Sequence, residues 1–219
     1  MIRVVLADDE ALIRVGVRTI LSADPGIEVV GEAGTGSALV ALVSKERPDV
    51  ALVDIRMPGG DGLSAIAELR RVSPGTAVAM LTTFGKDDYV VRALGEGASG
   101  FLLKAGDPRE LIAGVRTVAA GGACLSPKLA RRLADRLARE PEPADSAAAA
   151  TRRLEALSPR ERDVLALIGE GLSNAAIARR LHLAEDTVKT HVSSVLTRLD
   201  ADNRVQAAIA AYQAGLVRG

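Results

Sequence analysis

Residues 50–58 read VALVDIRMP, four apolar residues that run into Asp54 and are closed by a Met-Pro pair. Similar short, apolar and mostly β-branched runs occupy residues 2–6, 27–30, 77–81 and 100–103. Between them lie amphipathic stretches of helical length, at residues 11–22, 37–47, 62–72, 87–95 and 108–120. Short strands that alternate with helices predict a parallel sheet with right-handed crossovers. We therefore expect an α/β domain, built on a doubly wound, five-stranded parallel sheet.

The composition of the whole chain is that of an ordinary globular protein. Of its 219 residues, 48% are hydrophobic and 26% are charged, which excludes a mostly disordered or collagen-like chain. No apolar run approaches the roughly 18 residues that a membrane span needs, and the acidic run 8–10 comes too early for a signal peptide. Cys124 is the only cysteine, so an intrachain disulfide or a cysteine-cluster zinc site is impossible. We expect a cytoplasmic protein that does not associate with membranes.

Composition and predicted secondary structure divide the chain into three parts. The net charge is zero, from 28 basic and 28 acidic residues, and so it favours no class of partner. Residues 140–151 read EPEPADSAAAAT, which is typical of a linker, although the alanine run could also be helical. Before this stretch, residues 126–139 predict one further helix. We expect a first domain over residues 1–122, a helical or flexible linker over 123–152, and a second, smaller domain over 153–219.

Polar residues follow the predicted strands where ligands bind in such sheets. Asp8 and Asp9 follow the first strand, Asp54 ends the third, Thr82 ends the fourth and Lys104 follows the fifth. With the flavodoxin-like strand order 2-1-3-4-5, the first and third strands are neighbours, and their three carboxylates converge at the carboxyl edge. Carboxylates at close range repel unless they share a cation, and an all-oxygen ligand set suits Mg²⁺. A carboxylate beside Mg²⁺, a lysine and a hydroxyl is equipped to attack a phosphoryl group.

This set of strand-end residues, with the Met-Pro pair after Asp54 and Phe101 before the lysine, resembles the receiver domain of two-component response regulators. The resemblance covers residues 1 to about 122. It implies that Asp54 is the phosphoacceptor, and that Asp8, Asp9 and the backbone carbonyl of Arg56 help it to hold Mg²⁺. It also implies that Lys104 contacts the phosphoryl group.

The resemblance further implies a switch pair, formed by Thr82 and Phe101. The family has tyrosine or phenylalanine at the second position, and phenylalanine keeps the ring without the phenol hydroxyl.

The last part of the chain shows only sequence patterns that are typical of helices. Residues 158–161 read SPRE, a capping box with proline at the first helical position, and helices are expected over 158–170, 174–181, 185–199 and 203–214. The second and third of these have helix-turn-helix spacing. Opposite its apolar stripe, the third helix presents Lys189, Thr190 and Ser193, side chains that suit a DNA groove and phosphates. Composition alone favours a solvated helix face here.

The wider pattern of this module resembles the LuxR-type DNA-binding domain over residues 153–217. The matching stretches are LSPRE at 157–161, GLSN at 171–174, IA at 177–178, TVK at 187–189 with His191, and Leu196 with Leu199. The resemblance implies that Lys189, Thr190 and Ser193 face the major groove and that Thr187 approaches phosphates. Ala184 departs from the family, which often has serine or threonine there, and alanine forfeits a cap that contributes about 1 kcal/mol.

Together the two resemblances identify the chain as a member of the NarL/FixJ family of response regulators. They imply a transcription regulator that a sensor histidine kinase phosphorylates on Asp54, and that then forms a homodimer and binds double-stranded DNA. A phosphohydrolase of the haloacid dehalogenase type needs an acid where Arg56 stands, so we expect no enzyme. A regulator with an idle receiver site, controlled by a ligand or a protein partner, is the alternative.

Two further features are expected to be structural. The stretch 31–36, GEAGTG, is glycine-rich but lacks the G-x-G-x-x-G spacing, so it predicts a turn that leads into a helix rather than a nucleotide site. His182 and His191 have no metal-ligating neighbours in the sequence.

Overall fold

The computed structural model describes residues 1–57, 62–82, 93, 96–104, 106–125, 152–201 and 203–217. The chain separates into two compact units, residues Met1–Ala119 and Ala120–Gly219. The helices predicted at 126–139 and, apart from Ala93, at 87–95 lie outside the described residues, as does most of the predicted linker. The three-part division of the chain stays a prediction.

The first unit is built on a parallel sheet. Its strands are β1 (Ile2–Ala7), β2 (Ile27–Ala33), β3 (Val50–Asp54), β4 (Ala77–Thr82) and β5 (Gly100–Leu103). Its described helices are α1 (Ala11–Leu21), α2 (Gly36–Glu46), α3 (Gly62–Val72) and α4 (Pro108–Ala119). The strands pair in the order β2-β1-β3-β4-β5, all parallel, which confirms the predicted doubly wound sheet.

Strand β3 occupies the centre of this sheet, between β1 and β4. All five of its residues are buried, because a central parallel strand is covered on both faces. This explains why its sequence is continuously apolar until Asp54. Since β1 lies directly beside β3, the residue that follows β1, Asp8, comes to the same edge of the sheet as Asp54.

Strand β2 is longer than the sequence predicts. It runs through Gly31 to Ala33, whereas glycine in a strand predicts an end at residue 30. A Cβ atom on Gly31 would lie 2.7 Å from the side chain of Leu42 on α2, so glycine lets this leucine pack directly on β2, and a larger residue would force Leu42 to shift. The expected turn is confined to residues 34–35, where Thr35 caps α2 by accepting a hydrogen bond from the N–H of Ala38.

Helix α3 begins close behind the end of β3, and a glycine makes this possible. The N–H of Gly62 donates to the carbonyl of Ile55 at 3.1 Å. A Cβ atom on Gly62 would lie 2.0 Å from the carbonyl oxygen of Asp54, a backbone atom that cannot rotate away.

The second unit is a small helical module. Its described helices are α5 (Pro159–Gly169), α6 (Asn174–Leu181), α7 (Glu185–Leu199) and α8 (Arg204–Gln213). Ser158 and Glu161 form the predicted capping box of α5, Ser173 caps α6 and Asn203 caps α8. Helix α7 has no side-chain cap at Ala184, as the sequence predicts.

Helix α7 buries one face in the core of this module. Val188, Val192 and Val195 are buried, and Leu196 and Leu199 pack against them in part. The predicted apolar stripe is therefore confirmed, and the opposite face of the helix is exposed.

Arg204 is a buried cation in the same module. Its guanidinium donates to the carbonyl of Leu172 at 2.5 Å and to Asn174 Oδ1 at 2.7 Å, while Nε has no hydrogen-bond partner among the described residues. Burial lowers the pKa of Arg204 to about 10. These bonds tie the start of α8 to the turn before α6.

Among the described helices of the chain, none is long and apolar enough to cross a bilayer.

Candidate functional site

A buried lysine between two carboxylates forms the centre of the first unit's site. The Nζ atom of Lys104 lies 2.7 Å from Asp8 Oδ2 and 2.9 Å from Asp54 Oδ1. Asp8 is fully buried, and the side chains of Lys104 and Asp54 are 7% and 10% exposed. The structure thus brings together three residues that the sequence predicts at one edge of the sheet.

The pKa values of this centre reflect a balance of burial and pairing. Burial raises the pKa of the Asp54 carboxyl, and the charge of Asp8 adds to the rise, against the opposing effect of Lys104. Burial also opposes the charge of Lys104, but its bonds to Asp8 and Asp54 outweigh burial and raise its pKa. The lysine therefore stays cationic and is the counter-ion of both acids.

Three acids follow β1 and form a group that could hold a cation. One carboxylate oxygen from each of Asp8, Asp9 and Glu10 lies within 4.8 Å of the others, and the last two residues are exposed. Asp8 Oδ1 accepts a hydrogen bond from the N–H of Glu10 at 3.0 Å. Asp8 Oδ2 is buried and paired with the Lys104 ammonium at 2.7 Å. A group of carboxylate oxygens without nitrogen or sulfur ligands fits Mg²⁺.

This acidic group differs in one member from the set that the sequence suggests. Glu10, rather than Asp54, lies with Asp8 and Asp9 in the compact group, and Asp54 is joined to them through Lys104. The backbone N–H of Arg56 donates to the Asp54 carboxylate, so the chain turns back over the acid at this point. The side chain of Arg56 is exposed. The metal roles of Asp8, Asp9, Asp54 and the Arg56 carbonyl stay predictions.

Arg14 on α1 is a site residue that the sequence analysis missed. Its Nη1 atom donates to the backbone carbonyl of Asp8 at 2.7 Å and is 3.5 Å from that of Asp9. Its Nε atom lies 3.3 Å from Glu32 on β2, which also pairs with Arg18 at 2.8 Å. Arg14 therefore holds the acidic loop by its backbone, and the only signal in the sequence is a cation one turn inside α1.

The predicted switch residues lie on neighbouring strands. Phe101 on β5 is opposite Met80 on β4, and Thr82 is opposite Leu103, so the two residues are offset by two positions along the ladder. Phe101 is 3% exposed, and Thr82 is partly exposed at the strand end. The carbonyl of Thr82 accepts from the N–H of Lys104 at 2.9 Å, which ties the strand end to the charged centre. Their role as a switch stays a prediction.

The exposed face of α7 is the candidate nucleic-acid interface of the second unit. All four residues that the sequence suggests as DNA contacts are exposed on this helix: Thr187, Lys189, Thr190 and Ser193. Lys189 Nζ lies 3.1 Å from Asp186 Oδ1 and 4.0 Å from Glu185 Oε1. A hydrogen bond to Asp186 and the two acidic charges raise the pKa of Lys189. This ion pair is a feature that the sequence analysis did not identify.

A buried acid of α5, Glu161, is paired with the C-terminal part of α7. Glu161 Oε2 accepts from both the N–H and the hydroxyl of Ser158 at 2.8 Å. Glu161 Oε1 lies 3.1 Å from Nε of Arg198 on α7. The bonds from Ser158, with the charge of Arg198, keep the pKa of Glu161 below its usual value. The capping box of α5 thus also fixes the end of α7.

Comparison with known proteins matches each unit to a family. Residues 4–116 match the response regulator receiver domain, and residues 155–211 match the luxR family of bacterial regulatory proteins. The nitrate/nitrite response regulator NarL of Escherichia coli K12 is 38% identical over 96% of this chain and 94% of its own length. The crystal structure of ChrA, a response regulator of a heme-sensing two-component system, has 35% identity and a TM-score of 0.54 and covers 98% of both chains. A structure of two RcsB dimers bound to two parallel DNAs has 25% identity and a TM-score of 0.57, and covers 97% of this chain and 98% of that one.

Proposed function

The chain belongs to the DNA-binding response regulators of two-component systems, and from that premise we propose that phosphorylation of Asp54 controls its dimerisation and its binding to DNA. The phosphodonor is the phosphohistidine of a cognate sensor histidine kinase, and the DNA is double-stranded. Both partners act in the cytoplasm, and the chain acts there as a regulator rather than as an enzyme.

The single observation that carries this proposal is the pairing of Asp54 with Lys104 at the carboxyl end of β3. One oxygen of the Asp54 carboxylate is paired with the ammonium, and the other is the nucleophile. As the new O–P bond forms, the P–N bond of the phosphohistidine breaks, and the imidazole leaves with the electron pair and takes up a proton. Lys104 neutralises part of the charge on the phosphoryl oxygens in the transition state.

A divalent cation fits beside this pair. Asp8, Asp9 and Asp54, with the carbonyl of Arg56, would hold Mg²⁺, and Glu10 adds a further negative charge to the same acidic group. The ion supplies charge neutralisation for the incoming phosphoryl group when it is bound. Arg14 keeps the loop that carries Asp8 and Asp9 at the edge of the sheet through their backbone carbonyls.

The phosphorylated site signals through β4 and β5. The hydroxyl of Thr82 turns towards a phosphoryl oxygen, and the ring of Phe101 shifts with it, which changes the outer face next to β5. That change favours the homodimer. In the dimer, two copies of α7 enter the major groove at half-sites about one helical turn apart, with Lys189, Thr190 and Ser193 towards the bases and Thr187 towards phosphate.

The test is the mass of the intact protein after incubation with acetyl phosphate and Mg²⁺. The wild-type chain should gain one phosphoryl group, and Asp54→Asn should gain none, because the amide keeps the shape but is not a nucleophile. Asp24→Asn is the matched control, since it removes a carboxylate that is paired with Arg116 elsewhere on the same unit. This control should be phosphorylated like the wild type.

Two results would contradict the proposal. A phosphoryl group on Asp54→Asn would move the phosphoacceptor to another residue. A wild-type protein that is phosphorylated but keeps the same oligomeric state and DNA affinity would favour the alternative, a regulator whose receiver site is idle and which a ligand or protein partner controls.

A further inference from the structure

The exposed face of α7 carries an acid and a base that are bonded to one another. Lys189 and Asp186 stand one turn apart, with 3.1 Å between Nζ and Oδ1, and their side chains are 57% and 92% exposed. Glu185 is the second acid of this turn and is further from the ammonium, at 4.0 Å. The pair therefore presents a donor and an acceptor side by side at the start of the helix.

Folding alone does not explain the acid of this pair. An exposed ion pair contributes little to stability, because water competes for both charges. A carboxylate in the first turn interacts favourably with the helix dipole, and this stabilises a helix that has no side-chain cap at Ala184. Glu185 already provides such a carboxylate. Near DNA, a second carboxylate is repelled by the phosphates. Such a cost is offset only where the carboxylate meets a donor on the DNA.

We propose that Lys189 and Asp186 act as one unit that reads a G·C base pair in the major groove. The proposal rests on the proposed DNA binding through α7 and names a specificity-determining residue, Asp186, on that helix. Residues in the N-terminal part of a recognition helix are those that reach the base edges.

The order of groups on the base edges selects the base pair. Across the major groove a G·C pair presents two adjacent acceptors, N7 and O6 of guanine, and then the N4 amino donor of cytosine. An ammonium group satisfies the two acceptors, and a carboxylate beside it accepts from the amino group. An A·T pair presents an acceptor, a donor and an acceptor, with a methyl group at the thymine edge. There the ammonium would face an amino group, so the same pair of side chains fits poorly.

The neighbouring hydroxyl, on Thr190, bonds to the backbone of Asp186. Thr190 Oγ1 donates to the carbonyl of Asp186 at 3.1 Å, and so its proton is already engaged within the helix. This bond also anchors the backbone of Asp186. Asp186 is consequently held at two points, by Lys189 at its carboxylate and by Thr190 at its backbone carbonyl.

The experiment is selection from a pool of randomised duplexes by the full chain, treated with acetyl phosphate and Mg²⁺. We compare wild type, Asp186→Ala and the matched control Glu185→Ala, which removes the adjacent acid. Wild type and Glu185→Ala should select sites with a required G·C pair at one position of each half-site. Asp186→Ala should lose the part of that requirement that comes from the cytosine amino group, so that the difference in affinity between the G·C and A·T duplexes, about tenfold or more in the wild type, becomes markedly smaller.

A base analogue tests the other half of the pair. Replacing the selected guanine by 7-deazaguanine removes one acceptor, and it should weaken the wild type but leave Lys189→Met unchanged.

Three results would overturn the inference. One is an identical selected site in wild type and Asp186→Ala. Another is tighter binding of Asp186→Ala to every duplex with an unchanged site, which would make the carboxylate a source of repulsion only. The third is a wild-type chain that binds no duplex, and this result would overturn the proposed function together with the pair.

Discussion

Both units of the chain place a lysine beside two carboxylates, and the two sets differ in their exposure to water. Lys104 is 7% exposed, between Asp8 and Asp54, whereas Lys189 is 57% exposed, beside Asp186 and Glu185. The three groups are of the same chemical kind in each set. The comparison therefore isolates what burial and chain topology add to a charge pair.

The two sets also differ in how the chain brings them together. The partners of Lys104 follow β1 and end β3, far away in the sequence, so the set exists only when the sheet has formed. Those of Lys189 lie three and four residues before it on one helix. Buried charges interact in a low dielectric and are costly when a partner is lost, while exposed charges are screened by water and salt.

The largest expected effect is the loss of the buried lysine. Lys104→Met leaves two facing carboxylates without a counter-ion, and we expect it to lower the free energy of unfolding of the first unit by roughly 3 kcal/mol in the absence of divalent cations. Hydrogen exchange at the amides of β1 and β3 during urea unfolding measures this. Lys189→Met should change the stability of the second unit by less than about 0.5 kcal/mol.

A second substitution sharpens this test. Adding Asp8→Asn to Lys104→Met removes one of the facing charges, and the double variant should be more stable than the single one. If both lysine substitutions cost the same, burial is not what separates the two sets.

An intermediate effect is expected at Arg14, which holds the acidic loop without touching its carboxylates. Arg14→Gln frees the carbonyls of Asp8 and Asp9, and Mg²⁺ affinity should fall about tenfold, as is common when a partner behind a metal ligand is lost. Calorimetric titration with Mg²⁺ measures this. Arg18→Gln is the matched control, because it also pairs with Glu32 but makes no bond to the loop. Equal loss in both variants would assign the effect to general charge near the site.

The smallest expected effect is the coupling between Lys189 and Asp186 in the free protein. A double-mutant cycle with Lys189→Met and Asp186→Ala should give less than about 0.5 kcal/mol in the stability of the second unit, and this value should shrink with salt. Thermal unfolding at two ionic strengths measures it. A coupling above about 1 kcal/mol would mean that the exposed pair supports the fold after all, and the contrast with Lys104 would weaken.

The sequence predicts the part of the site that depends on strand ends. The pattern of apolar runs predicts the sheet, and the sheet brings Asp8, Asp54 and Lys104 to one edge. These residues are predictable because the carboxyl ends of parallel strands lie at the same edge of the sheet, and this does not depend on the conformations of the side chains. The face of α7 is predictable for the same kind of reason, since helical periodicity decides which residues are exposed.

The parts that escaped prediction depend on particular contacts. Arg14 acts through backbone carbonyls, which carry no side-chain signature in the sequence. Gly31 predicts the end of a strand by propensity, whereas β2 continues through it because pairing with β1 extends to Ala33, and the sequence does not show that Leu42 of α2 packs over this glycine. Glu10 joins the acidic group because of the way the loop turns into α1, and the bond between Lys189 and Asp186 depends on the conformations of two exposed side chains, which the sequence alone does not show.

The close approach of α3 to β3 also limits how this sequence can vary. A side chain at position 62 would meet the carbonyl oxygen of Asp54, and neither backbone can move without displacing the acid. Alanine is the smallest possible replacement, and it already carries the clashing Cβ atom. The side chain of Asp54 can therefore be exchanged with the fold retained, whereas any other residue in place of Gly62 would put a Cβ atom against the backbone behind that acid.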